Sequence, residues 1–234
     1  TWWQLTGDQA AGFEASLDRW AQRCPDRATC PFPGRSGPRV QAQLRQSLRA
    51  LPYGARRQST GNLAAVLFDG DPYRQVDRML VTEPVSGSRV SHAAGAEDVR
   101  RSQIAVVSTK WATVCADGPS PREPLGRFRS QLNSRQKQFP VFGARYSWLG
   151  AVCQGFPERQ QVLGGDPHLN LMLLNGRDDP ATPLKGARAL RRLFPASTLT
   201  VWQGRGHSAT EHDGCKRPVA QFLLQGRRPG PTCR

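Results

Sequence analysis

The sequence predicts an α/β protein in two parts: a mostly helical region over residues 1–165, then two parallel strands with their helices over residues 166–234. Two observations carry this. In the first part, apolar residues recur three or four positions apart, the spacing of a helix face. From residue 166 the pattern changes to a short apolar run, Leu169–Leu174, a loop, an amphipathic stretch, a second apolar run, Leu199–Trp202, and another amphipathic stretch. Strand, helix, strand, helix implies a parallel pair joined by a right-handed crossover.

The first helix is signalled by Phe13, Leu17, Trp20, Ala21 and Cys24, with Pro25 as its stop. Thr6 with Gln9 reads as a capping box, which would make Thr6 the N-cap. Val40, Leu44, Leu48 and Leu51 mark a second amphipathic stretch ended by Pro52. Signals are weak from Tyr53 to about Gly95: "LFDGDPYRQVDRML" reads as turn then helix, and "VTEPVSGSRVSHAAGAED" as an exposed loop. Ile104 to Cys115 fits helix or strand, residues 118–124 fit a loop, and helical pieces are expected up to Cys153. Leu169–Leu174 is almost wholly apolar, as for a strand covered on both faces. The helix after it runs through Leu184, Ala187, Leu190 and Leu193, and the last helix carries Val219, Phe222 and Leu223.

The chain carries 33 basic and 18 acidic residues, a net charge of +15, and four of the basic residues are lysines. Such a charge raises nucleic acid or an acidic surface as a partner. The arginines are scattered, however, with no long basic run and no clean helical stripe, so they read as a solvated surface, and nucleic acid is not expected as a partner. No apolar run reaches the roughly 18 residues of a membrane-spanning helix, and no membrane contact is expected. No secretory leader opens the chain, and "TWWQLTGDQ" reads as the interior of something longer. The six cysteines fall as Cys24 and Cys30, Cys115 and Cys153, Cys215 and Cys233, with no C-x-x-C pair. Three bridges in an oxidising, extracellular setting are the economical reading; six buried thiols are the competing one.

The chemistry gathers at two strand ends. Ligands and reactive groups collect beyond the carboxyl ends of parallel strands. Asp178 and Asp179 lie beyond the first such end and His207 beyond the second, with Asp179 and His207 28 positions apart. Neighbouring strands would bring the two loops together. A carboxylate there can fix the imidazole tautomer and stabilise the imidazolium formed when His207 acts as a base. Gly204 and Gly206 let the loop turn sharply ahead of the histidine. The bland alternative is an idle loop histidine and an Asp-Asp-Pro turn that caps the following helix.

These residues also resemble a known family. "GRDDPATPLKGARAL" followed by "STLTVWQGRGHSA" is similar to the carboxyl-terminal part of secreted tripeptidyl-aminopeptidase-like α/β-hydrolases. Gly176, Asp179, Pro180, Thr182, Pro183, Gly204, Gly206, His207, Cys215 and Cys233 fit that family's pattern. "DQAAGFEASLDRWAQRC", "VCADGP" and "CQGFP" resemble its lid and disulfides. The resemblance implies a partial α/β-hydrolase, a helical lid followed by the last two parallel core strands. It implies Asp179, not Asp178, as triad acid, His207 as general base, a peptide or ester substrate, and no metal or cofactor.

The match departs from the family at one decisive point. Such enzymes carry their serine on a G-x-S-x-G elbow that precedes the acid and base. Gly34-Arg35-Ser36-Gly37-Pro38 and Gly206-His207-Ser208-Ala209-Thr210 both lack the second glycine, and no nucleophile is found in these 234 residues. The expected partner is therefore the amino-terminal half of the core, and the chain alone is expected to be inactive, with an unpaired strand edge prone to association. The competing function is a catalytically inactive, basic, secreted binder of acidic ligands or nucleic acid. A metal site built from His207, His212, Asp213 and Cys215 has suitable residue types but an unfamiliar spacing. His92 and His168 read as surface residues, and Trp2, Trp3, Trp20, Trp111 and Trp148 as packing in the helical region.

Overall fold

The computed structural model describes residues 2–68, 72–82, 113–116, 124–155 and 165–234. Among these, the long helices of the first part are α1 (Trp2–Arg23), α2 (Gly37–Ala50), α3 (Tyr53–Phe68), α4 (Pro72–Thr82), α5 (Leu125–Gln138) and α6 (Gly143–Ala151). The second part runs β1 (Met172–Asp178), α7 (Leu184–Leu193), β2 (Thr198–Arg205), α8 (Asp213–Gln225) and β3 (Thr232–Cys233). The readings at His92, at Trp111, at the 83–98 loop and over most of 104–123 fall outside the described residues.

Helix α1 is the spine. Its Ala10, Phe13, Leu17, Trp20 and Ala21, with Cys24 just past its end, are buried in one cluster with Val40, Leu44 and Leu48 of α2, Leu63 and Leu67 of α3, Val76 and Leu80 of α4, and Phe142 and Tyr146 around α6. Phe13 stacks on Tyr146 with ring centroids 5.2 Å apart. The helix starts at Trp2, not at Thr6. The Thr6 hydroxyl instead donates back to the Trp3 carbonyl at 3.0 Å and accepts from Arg135 Nη1 at 3.1 Å. Arg135 lies 3.6 Å from the Trp3 ring centroid, so a cation–π contact anchors the turn ahead of the predicted cap. Helix α3 was hidden by Gly54 and Gly61, which lower helix propensity. Packing of Thr60, Leu63, Ala64 and Leu67 overrides that cost.

Two buried carboxylates tie the helices. Asp77, 1% exposed, accepts from Trp20 Nε1 at 2.8 Å, from Arg27 Nε at 2.9 Å and Nη2 at 2.6 Å, and from Thr29 Oγ1 at 2.6 Å. Glu14 accepts from the backbone N–H groups of Val141 and Phe142 at 3.1 and 3.2 Å, where α6 begins, and from Arg45 at 2.9 Å. It thereby serves the helix N-terminus, whose own cap residue Phe142 offers no side-chain cap.

The sheet is parallel throughout, in the order β1-β2-β3. Met172 pairs with Thr198 and Asp178 with Arg205, with an irregularity between Gly176 and Asp178. Strand β1 runs past Leu174, where the apolar run ends, through Asn175 and Gly176 to Asp178, because Asn175 is buried and Gly176 lies against Gly206 and Trp202. Met172, Leu173 and Leu174 are only half-buried, so β1 is not covered on both faces, and α7 buries no residue fully. A third strand joins the expected two. β3 pairs with β2 only at Val201 and Trp202, and Pro231 accepts from the Val201 N–H at 2.9 Å. A two-residue strand in an Arg/Pro/Gly-rich tail offers no periodicity to read; the Cys215–Cys233 disulfide holds it in place. Cys24–Cys30 and Cys115–Cys153 are likewise bridged. No described helix is long and apolar enough to cross a membrane.

Candidate active site

The loop after β1 and the loop after β2 meet. Asp179 Oδ2 lies 2.9 Å from His207 Nδ1, with the aspartate side chain 3% exposed and the histidine 31% exposed. The carboxylate is held from several sides. Its Oδ1 accepts from the Ala181 and Thr182 N–H groups, both at 2.9 Å. Its Oδ2 also accepts from Thr182 Oγ1 at 2.7 Å and from Asn175 Nδ2 at 3.3 Å. These bonds form a tight Asx-type turn, the local closure that aspartate favours. The carboxylate does not cap α7, whose N-cap is Pro183 with no side-chain cap bond.

The histidine is fixed just as closely. Gly206 has φ +88, a left-handed conformation that suits glycine and swings His207 out of the strand line. The His207 N–H donates to the Phe68 carbonyl at 2.8 Å, and the Phe68 ring lies 4.4 Å from the imidazole. Thr182 Oγ1 sits 3.3 Å from Nδ1, beside the aspartate. With Nδ1 occupied, Nε2 is the nitrogen left to exchange a proton with a substrate or nucleophile.

Helix α1 closes over the same loop. Gln9 Nε2 donates to the Ala181 carbonyl at 2.9 Å, and a Cβ on Gly12 would stand 2.6 Å from the Pro180 carbonyl oxygen. Asp178, the neighbour of the buried acid, faces Arg19 at 3.7 Å instead of the histidine. The metal-site alternative loses its members: Cys215 sulfur is in a disulfide, His212 stacks on Trp202 at 3.8 Å, and His207 is engaged with Asp179. His168 is an exposed residue of the turn ahead of β1.

Three contributors had no role in the sequence reading. Thr182 belongs to the matched motif without a function attached; Asn175 directly follows the apolar run Leu169–Leu174; Phe68 lies in the stretch with weak signals. Only Thr182, spaced three residues from the acid, carried a usable signal.

Residues 139–233 match the family described as TAP-like protein, a stretch that includes α6, the whole sheet, Asp179 and His207. No curated protein matches the chain. The carboxyl-terminal part of this chain is a TAP-like domain of the α/β-hydrolase superfamily.

Proposed function

We propose that the chain supplies the acid and base of a Ser-His-Asp acyl-transfer triad, acting on peptide bonds in the manner of an aminopeptidase. The observation that carries this reading is the 2.9 Å contact between Asp179 Oδ2 and His207 Nδ1 at adjacent strand ends, within the matched residues. In this reading Asp179 holds the Nδ1–H tautomer. His207 Nε2 takes the proton of an attacking serine and returns it to the leaving amine, and Asp179 stabilises the imidazolium between the two steps. The helical region α1–α6 is the lid over the substrate. Esters are chemically open to the same machinery.

The nucleophile comes from a segment bearing a G-x-S-x-G elbow, which the 234 residues lack. That segment docks along the edge of β1 that carries no strand among the described residues, beside a groove of about 410 Å³ lined by Leu5, Met172, Leu174, Ala187 and Leu190. Half-buried leucines on β1 and the open ladder favour such a partner. The three disulfides favour secretion. A serine-reactive phosphonate tests the proposal. The chain combined with the elbow-bearing segment is labelled, labelling falls with His207→Ala, and the chain alone stays unlabelled. Labelling of the chain alone overturns the assignment of the nucleophile, and labelling untouched by His207→Ala overturns that of the base.

A further inference from the structure

A cavity of about 330 Å³ opens beside Arg205, the last residue of β2 and two positions before His207; its other described lining residues are Arg23, Asp26, Arg27 and Tyr73. Its volume lies at the lower end of the range for small-ligand sites, roughly 300–1,000 Å³. The cavity is built around a tyrosine. Tyr73 is 6% exposed, with the Arg205 guanidinium 4.6 Å and the Arg27 guanidinium 5.5 Å from its ring centroid. Such stacking holds a guanidinium in place while leaving its N–H fork free to bind.

Two of these buried polar groups have no hydrogen-bond partner among the described residues: the Tyr73 hydroxyl and Arg27 Nη1. Buried donors of this kind are normally satisfied, and both lack an acceptor. Arg27 already spends Nε and Nη2 on Asp77, so its charge is balanced. Asp26 offsets one of the two remaining arginines, Arg23 and Arg205. Among the described residues the local excess is one positive charge, which suits a monoanion and disfavours a phosphate dianion.

We propose that this cavity binds a carboxylate of the peptide substrate, either its carboxyl terminus or an acidic side chain. The proposal rests on the peptidase reading above for the nature of the ligand, and on the cavity for its charge. Guanidinium–carboxylate bonds are directional and charge-assisted, so they select a carboxylate over the neutral amide of the same shape. Arg205, the last residue of the strand that leads into the histidine's loop, would then set where along the peptide the bond to be cut lies.

The test is calorimetric binding to the full chain at low salt, with three probes: Ala-Ala-Ala with a free carboxyl terminus, its amide, and amidated Ala-Glu-Ala. At least one acidic probe binds roughly tenfold or more tightly than the neutral amide. The free-terminus peptide winning assigns the terminus, and the glutamate peptide winning assigns the side chain. The preference falls to parity in Arg205→Ala and also in Arg23→Ala, an exposed position that leaves packing intact. Equal binding of all three, no binding by any, a preference surviving both substitutions, or tighter binding of inorganic phosphate overturns the proposal. No turnover is needed, so this failure leaves phosphonate labelling, and the hydrolase reading, to stand or fall separately.

Discussion

Replacing Asp179 by asparagine leaves the shape of the loop and changes its chemistry. The asparagine oxygen can still accept from the Ala181 and Thr182 N–H groups, now made to Oδ1 at 2.9 Å. The amide NH₂ then stands where Oδ2 accepts from Thr182 Oγ1, Asn175 Nδ2 and His207 Nδ1. The Thr182 hydroxyl can rotate to accept, but Asn175 Nδ2 has only donors to offer and loses this bond. It keeps a bond to the Thr182 carbonyl at 3.0 Å, so the structural cost is the low end of the penalty for a lost buried partner, about 1 kcal/mol. The catalytic cost is larger. His207 can meet the amide only by turning Nδ1 into an acceptor, which puts the proton on Nε2 and removes the base. In the completed enzyme proposed above, the rate is expected to fall roughly ten-thousand-fold, or about 5.5 kcal/mol of transition-state stabilisation. Nitrogen-15 NMR of histidine-labelled protein reads the tautomer directly, without turnover. The neutral His207 ring is protonated at Nδ1 in the parent and at Nε2 in the variant. A parent ring protonated at Nε2, or a tautomer unchanged by the substitution, refutes the positioning argument.

Three further outcomes follow from the same structure. Gly12→Ala drives a methyl against the Pro180 carbonyl oxygen, which the structure places 2.6 Å from the new Cβ; the expected destabilisation is about 1–3 kcal/mol, and chemical denaturation with the His207 NMR signal shows whether the Asp179 loop has moved. Glu14 is held above its usual pKa of 4.5 by burial, against the lowering effect of its bonds to Phe142, Arg45 and Val141. The folded state therefore keeps this proton to higher pH than the unfolded chain does. The associated stability is present below about 4.5 and is lost as pH rises through the folded value, so Glu14→Gln flattens the slope of unfolding free energy just above pH 4.5, and an unchanged slope refutes the assignment. Replacing Cys215 and Cys233 together by serine opens an 18-residue separation and costs about 3 kcal/mol; amide exchange at Val201, whose N–H donates to Pro231, rises with the loss of β3, and unchanged protection there refutes a stapling role.

What was legible in the sequence follows from the range of the forces involved. Helices α1, α2 and α7 and the order strand-helix-strand-helix are local patterns, written in the spacing of Phe13, Leu17 and Trp20 or of Leu184, Ala187 and Leu190. Asp179 and His207 could be paired because parallel strands bring their ends together whatever the side chains are. Helix α3 and strand β3 could not be read, because each is held by distant partners: α3 by the core built on α1, and β3 by a disulfide to the start of α8. The extension of β1 through Asn175 and Gly176 was missed for the same reason, since turn-forming residues became strand once β2 offered its ladder.

The same distinction bears on how the candidate site is held. Sheet topology brings the two loops near each other, but it does not set the angle between a carboxylate and an imidazole. Here that angle depends on the helical region. The α3 terminus fixes His207 through the Phe68 carbonyl, 2.8 Å from the histidine N–H, and through its ring. Helix α1 fixes the acid's loop through Gln9 and the close approach at Gly12, and Ala181 of that loop belongs to the helical core itself. A region that only covered a substrate would have no need to grip the backbone around both Asp179 and His207. Because it does, packing within the helices is coupled to the geometry of the Asp179–His207 pair, and a core substitution such as Leu67→Ala, one residue before Phe68, is expected to act on His207 through the Phe68 carbonyl.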